Sequence, residues 1–454
     1  MTTLLFILLV ITETVFAGLM MTVTTPRREW TSKRLIVNAG EMCIYLLTVF
    51  LPGIDFSFRF SGLIILLAVR IIVSGIFFFV RRHNENPKRH AAMIISAVMN
   101  VVLLLVSLVP AFIFRDYKGR PVSGPYHVRE TEAILIDRSR IEEYESDGSY
   151  REVPVHFYYP EEASSIEKKT LPLVIFSHGA FGYYQSNTST YMELASNGYV
   201  VVSLDHPYHS FFTKDTDGRT VIVDREFIDS AMRIGGSDDV PEAEVFDTTS
   251  EWMELRKADM NFVIDTIKET SVSGSYADWF IEDKSRDDIA SAVSLVDTDR
   301  IGLMGHSLGG ATAVTVGRRK DVDAVIDLDG TMLGEETGVT GGQVTVDQVP
   351  YTTPLLAIDS ESHHKSRIEA AENGYVYANN VILDNASEGF GTYFKGAEHM
   401  DFTDLPLFSP FLADMLGRGT VESEACIDQV NRLVLEFFDC YLKEKGEFTV
   451  NGYY

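Results

Sequence analysis

Arg300-Ile301-Gly302-Leu303-Met304-Gly305-His306-Ser307-Leu308-Gly309-Gly310-Ala311-Thr312-Ala313 is the stretch that decides how the rest of the chain is read. Residues 301–304 form a short apolar run of the kind a buried strand uses, and the small residues 309–313 suit a helix lying close against a sheet. Between them, Gly305-His306-Ser307-Leu308-Gly309 has the G-x-S-x-G form of a nucleophile elbow. A serine at such a turn takes an unusual backbone conformation, and a bulkier residue at 305 or 309 would clash. The Ser307 hydroxyl then projects above the sheet at a helix N-terminus. Free amides and the helix dipole favour the negative charge of a tetrahedral intermediate there.

Ser177-His178-Gly179-Ala180 directly follows the apolar run 171–177. In strand–turn–helix folds of this kind the matching loop supplies one oxyanion amide. The two donors are assigned as the backbone N–H groups of Ala180 and Leu308. A base must follow in the chain, and His399, within Gly396-Ala397-Glu398-His399-Met400-Asp401-Phe402, fits: neutral imidazole can take the Ser307 proton and return it to the leaving group. His363 and His364 read instead as solvated surface residues. Asp329, at the end of the run 325–328, gives the order Ser, Asp, His, whereas Asp327 falls inside that run. Asp359 and Glu361, after the next strand, stay open as alternative acids. No cluster of His, Cys and carboxylate has metal-ligand spacing and no glycine loop suits a nucleotide phosphate, so neither a metal nor a cofactor is expected. Asp205-His206 and His209 share one loop beside the expected rim and read as structural or substrate-shaping.

Around these motifs, short apolar runs alternate with helical stretches. The segments 129–137 and 150–159 read as an antiparallel β region, the second with Val153, Val155, Phe157 and Tyr159 on one face. Further strands are expected at 171–177, 200–204, 301–304, 322–328, 354–358 and 393–395, and helices at 189–196, 249–269, from 308, and at 422–445. Such alternation implies an α/β fold, a mostly parallel sheet covered on both faces. Polar insertions at 211–248 and 331–350 read as surface excursions or lid loops.

The first 120 residues differ from the remainder. They hold 13 Lys+Arg against 6 Asp+Glu, while the rest holds 26 against 59. The acidic part argues against a nucleic-acid partner, since phosphate neutralisation needs Lys and Arg. Four apolar runs, 3–22, 35–54, 60–80 and 91–114, each have about the 20 residues needed to span a bilayer. The chain therefore divides into a four-helix all-α transmembrane module, 1–120, and a catalytic domain, 121–454. No Lys or Arg precedes the first run, so it reads as a retained helix rather than a leader cleaved after Val15-Phe16-Ala17. Arg27, Arg28, Lys33 and Arg34 mark the first loop as cytoplasmic, and Arg81, Arg82, Lys88 and Arg89 the third. Four spans then place the acidic domain on the extracytoplasmic side, with the plasma membrane the expected location. Glu13, Glu41 and Arg70 fall inside spans, where a Glu41–Arg70 pair between helices would offset their desolvation. Cys426 and Cys440, 14 apart in one helical segment, would lie about 21 Å apart and form no bridge.

Taken together, Phe176-Ser177-His178-Gly179, Leu194-Ala195-Ser196-Asn197-Gly198-Tyr199, Asp205-His206, Arg300-Ile301-Gly302, Gly305 to Ala313, Leu328-Asp329 and Gly396 to Phe402 resemble the plasma-type (isoform II) platelet-activating factor acetylhydrolases and their bacterial relatives. The resemblance covers residues 125–445. It implies an α/β-hydrolase fold and calcium-independent hydrolysis of short acyl esters, including sn-2 chains of phospholipids. It favours Asp329 as the acid and His399, in a G-x-x-H stretch, as the base. Two departures stand out. The family's Glu-His-Arg-Asp run is Asp205-His206-Pro207-Tyr208 here, and Gly330 follows the acid where a bulky aromatic is common. Dienelactone-hydrolase-like and polyester-hydrolase-like enzymes share much of the signature.

The reading that follows is a membrane-anchored serine esterase or lipase acting on a small-molecule or lipid ester through an acyl-enzyme. Its rivals are a non-catalytic receptor or scaffold that kept the fold, and an acyltransferase with the same Ser307, Asp329 and His399. The sequence leaves the oligomeric state open.

Overall fold

Alternate residues of the strand Leu171–Ser177 enter two different cores. Leu173 and Ile175 pack with Met260, Val263 and Ile264 of the helix Glu242–Ser273 and with Ile289 of the helix Arg286–Leu295. Val174 and Phe176 pack with Tyr191 and Leu194 of the helix Thr188–Ser196 and with Phe437 and Phe438 of the helix Ser423–Lys443. A strand apolar on both faces belongs in the middle of a helix-covered sheet, and that is its place in this computed structural model, which describes residues 1–22, 24–236 and 240–454.

The sheet has nine strands. From one edge to the other they run Gly389–Phe394, Leu355–Ser360, Ala324–Leu328, Val296–His306, Leu171–Ser177, Val200–Leu204, Tyr150–Pro160, Val128–Ile141 and Trp279–Phe280. The first six are parallel and the last three antiparallel. The expected α/β class is the observed one, an α/β-hydrolase-like sheet with its helices split between the two faces. The strand ending at His306 lies between Leu171–Ser177 and Ala324–Leu328, so the segments after Ser177, His306 and Leu328 meet at one end of the sheet. Ligands of open parallel sheets collect at that carboxyl end.

The expected insertions carry structure of their own. Within 211–248 are a hairpin, Phe212–Lys214 with Thr220–Ile222, and the helix Arg225–Gly236; residues 237–239 lie outside the described residues. Within 331–350 is the hairpin of Glu336–Thr340 and Gln343–Val346. The three cysteines are free.

By its contacts the chain forms two compact units, Met1–Lys118 with Leu407–Leu412, and Gly119–Pro406 with Ala413–Tyr454. The first holds four helices, Thr2–Met21, Arg27–Thr48, Phe58–Arg81 and His90–Ile113. Three of them, all but Arg27–Thr48, are long and apolar enough to cross a membrane. The bounds expected for the second helix, 35–54, are corrected to Arg27–Thr48. The helix starts eight residues earlier, and Arg27, Arg28, Lys33 and Arg34 belong to it rather than to a loop. Arg34, Asn38 and Glu41 on it are turned inward. Buried Arg34 donates twice to Glu13 (2.6 and 2.5 Å), and buried Arg70 contacts Glu13, Glu41 (2.9 Å) and Asn38 (3.2 Å). The Glu41–Arg70 pair therefore forms, within a larger cluster joining three helices.

Candidate active site

Ser307 sits between the strand Val296–His306 and the helix Leu308–Val316, at φ 56° and ψ −128°. An L-residue takes that backbone only under strain. Two glycines make it possible by close approach. A Cβ on Gly305 would lie 2.2 Å from the Gly309 carbonyl oxygen, and one on Gly309 would lie 2.0 Å from that of Ser177. The elbow and the Ser177 loop therefore touch main chain to main chain. Ser307 N–H donates to Leu328 O (2.9 Å), which ties the elbow to the neighbouring strand end.

Asp329 follows that strand end, also in the left-handed region at φ 54°. Its Oδ2 accepts from His399 Nδ1 (2.7 Å). Its Oδ1 accepts from the Ser360 amide (2.6 Å) and from His363 Nδ1 (3.1 Å). Burial opposes ionisation of this carboxyl, but the hydrogen bonds from His363 and His399 outweigh it and hold the group well below the usual carboxylate range. With Nδ1–H committed to Asp329, neutral His399 keeps Nε2 as its acceptor. His399 itself begins a short 3₁₀ turn, its carbonyl accepting from His306 Nε2 (3.0 Å).

Ser307, Asp329 and His399 line one cavity of about 390 Å³. Ala180, Trp252, Leu308 and Leu333 give it an apolar side, while Thr331, Ser362, Ser366 and Tyr377 supply hydroxyls. Leu308 opens its helix, so its amide has no carbonyl one turn back.

The alternative acids have other partners. Asp359 pairs with Arg367, and Glu361 with Lys365 (2.7 Å) and the Gly396 amide (2.5 Å). Asp327 lies within the strand Ala324–Leu328, whereas Asp329 lies just past its end. Asp327 accepts from the Gly330 amide (3.0 Å), and its Oδ2 has no partner among the described residues. Burial, then the charges of Asp359 and Asp329, push its pKa well above the usual value.

Three expectations need correction. His363 is no solvated surface residue: its side chain is 9% exposed, it lines the cavity and it holds the second oxygen of Asp329. Only its place one turn into the helix Glu361–Asn373, directly after a strand end, hinted at this. His364 is half-buried, its ring stacked on Tyr393 at 4.1 Å. The spacing that gave no metal cluster also misses a spatial one. Ligand atoms of Asp329, Asp359 and His363 lie within 4.8 Å of one another. Arg367 and His399 already contribute donors to this group.

The loop residues Asp205, His206 and His209 are buried, not at a rim. His206 Nδ1 meets Asp259 Oδ2 (2.9 Å) and its Nε2 meets Ser177 Oγ (2.9 Å). Arg151 donates to Asp259 (3.1 and 2.7 Å) and Glu142 (2.9 Å). Arg256 donates to the carbonyls of His178 (2.5 Å) and Gly179 (3.3 Å). Burial, with the positive charge of Arg256, lowers the pKa of His206 to about 4. Sequence spacing could not find this network, because its members are scattered from Glu142 to Asp259 with no local pattern joining them.

The family profile of platelet-activating factor acetylhydrolase, isoform II, matches residues 146–451. Among similar curated proteins are the platelet-activating factor acetylhydrolases of Gallus gallus, 26% identical over 299 residues, and of Canis lupus familiaris, 22% identical over 294. Each alignment takes in 61% of this chain and 63% and 58% of the respective relative, so less than two thirds of either relative is matched. Among solved structures, a ferulic acid esterase from Streptomyces cinnamoneus aligns at 21% identity and a TM-score of 0.47, over 72% of this chain and 93% of that one.

Proposed function

This chain belongs to the platelet-activating factor acetylhydrolase, isoform II, family, and on that premise we propose that it is a membrane-anchored serine hydrolase of carboxylic esters, short-chain acyl lipids among them. The observation that carries the reading is Ser307, strained at a strand-to-helix turn, sharing a cavity with a histidine already bonded to a buried carboxylate.

Ser307 Oγ attacks the ester carbonyl as His399 Nε2 takes its proton, and Asp329 stabilises the resulting imidazolium. The carbonyl oxygen becomes an oxyanion facing the amides of Ala180 and Leu308. Collapse expels the alcohol, which receives the proton from His399. Water then repeats the sequence on the acyl-enzyme and frees the acid and Ser307. No step needs a cofactor.

The helical unit supports integral anchoring. Arg28 meets Glu85 (2.9 Å) and the Arg27 amide donates to Asn86 O (3.0 Å). This gathers Arg27, Arg28, Lys33, Arg81, Arg82, Lys88 and Arg89 at one end of the bundle, which reads as cytoplasmic. The helix Arg27–Thr48, about 33 Å long, serves as a fourth pass, with Arg34 and Glu41 facing Glu13 and Arg70 rather than lipid. Met1 and Ile113 then share the other end, so the catalytic unit, residues 121 onward, is extracytoplasmic at the plasma membrane.

The test is p-nitrophenyl acetate and butyrate hydrolysis and fluorophosphonate labelling by the full chain in detergent, with and without Ser307→Ala. Loss of both signals in the variant is expected. A folded wild-type protein that neither labels nor turns over would sink the reading. Acyl transfer to added alcohols in preference to water would reassign it as an acyltransferase.

A further inference from the structure

A buried guanidinium lies behind the loop that carries the first oxyanion donor. Arg256, on the helix Glu242–Ser273, has no exposed surface. Among the described residues it forms no ion pair, although a buried arginine kept for stability would normally have one. Asp259, three residues on, is engaged by Arg151, Arg140 and His206. The acceptors of Arg256 are two consecutive carbonyls, His178 O (2.5 Å, from Nη1) and Gly179 O (3.3 Å, from Nη2), together with His209 Nδ1 (3.4 Å, from Nε).

Gly179 O and the Ala180 N–H belong to one peptide unit, and in a trans peptide they point in opposite directions. The same carbonyl also accepts from the Gly182 amide (3.1 Å) and from His178 Nδ1 (2.7 Å). A carbonyl held by three donors cannot rotate, so neither can the amide on its far side. One of the three is a cation, which strengthens its bond and draws electron density toward the oxygen, leaving the N–H more positive. One turn earlier on the same helix, Trp252 lines the cavity, whereas Arg256 does not reach it.

We propose that Arg256 is a positioning residue for the oxyanion hole, aiming and polarising the Ala180 N–H through the Gly179 carbonyl. This rests on the serine-hydrolase reading above.

The experiment uses the full chain in detergent, wild type against Arg256→Gln and Arg256→Lys. It measures p-nitrophenyl butyrate kinetics and inhibition by an alkyl trifluoromethyl ketone, whose hemiketal oxyanion occupies the same hole. Removing an oxyanion donor outright lowers kcat about 10²- to 10³-fold. A misaimed one should lower it about 10- to 100-fold on the same scale, with KM little changed. Affinity for the ketone should fall by the same factor, since it copies the transition state. Arg256→Lys, which keeps the charge but cannot fork to both carbonyls, should fall between Gln and wild type. Folded variants with wild-type kcat and ketone affinity, or with KM alone raised, would overturn the proposal. Failure of both variants to fold would assign Arg256 to the fold and also overturn it. Failure of the parent reading looks different: an inactive wild type, or an active Ser307→Ala.

Discussion

Two buried groups of charges, one in each unit, answer the same problem in different ways. In the helical unit Glu13 and Glu41 face Arg34 and Arg70, charge against charge across three helices. Cancellation there is incomplete in hydrogen-bond terms: both Glu41 oxygens and the Nε and Nη1 of Arg70 have no partner among the described residues. In the other unit Asp259 is fully used by Arg151, Arg140 and His206, and Arg256 is turned onto main-chain carbonyls. Among apolar helices, buried charge fixes which faces meet. In the second unit, on the catalytic reading proposed above, it fixes where a peptide points. The first kind of group should matter for stability and the second for rate.

The largest effect separates rate from stability. Asp329→Asn should lower kcat by about 10⁴-fold, because His399 loses the partner that sets its tautomer. The unfolding midpoint should move little by comparison; equal losses of both, seen by kinetics and thermal denaturation together, would break the distinction. Next comes Glu13→Gln, which strips the carboxylate from two buried arginines. Breaking such a pair costs about 3–5 kcal/mol. The full chain in detergent should therefore denature at lower temperature, with hydrolysis per fluorophosphonate-labelled serine unchanged. A fall in that specific activity would show that the bundle's charges reach the chemistry.

A third variant carries its own pH signature. The folded-state pKa of Asp327 is raised, so its burial favours folding least at high pH. Its penalty is absent below the unfolded value of about 3.9 and grows as pH rises toward the folded pKa. Asp327→Asn should thus raise the unfolding midpoint at pH 8 relative to wild type and change it little at pH 4. An equal change at both would mean that packing, not charge, dominates at this site. The smallest effect should come from Glu29→Gln. It breaks an exposed pair with Lys33 in the same unit as Glu13, with side chains 50% and 40% exposed for Lys33 and Glu29. A loss of no more than about 0.5 kcal/mol in thermal denaturation is expected.

What the sequence made legible was whatever short-range pattern specifies. Residues 171–177 and 200–204 were bounded correctly because apolar runs of that length between turn signals have one good structural reading. The elbow, Ala180, Asp329 and His399 follow from a motif and chain order, and they meet at one cavity. The start of the second helix is not legible from apolar runs, because Arg34 and Glu41 are polar residues facing inward. The role of His363 is hidden for a related reason. A histidine in a polar helical stretch looks solvated until a strand end delivers Asp329 beside it. Arg256 and Asp259 could not be assigned at all, since nothing local distinguishes an arginine bonded to distant carbonyls from one in solvent.

Ser307 and Asp329 share one further property, a left-handed backbone at φ 56° and 54°. Such conformations cost an L-residue on the order of 1–3 kcal/mol each, and glycine adopts them freely. At Asp329 the bonds from Ser360, His363 and His399 offset that cost, but nothing comparable is described for the Ser307 side chain. A descendant released from selection for turnover would therefore drift downhill at 307 first. Glycine at 307 in such a lineage would be the fossil of an abandoned activity, recorded by a gain in stability.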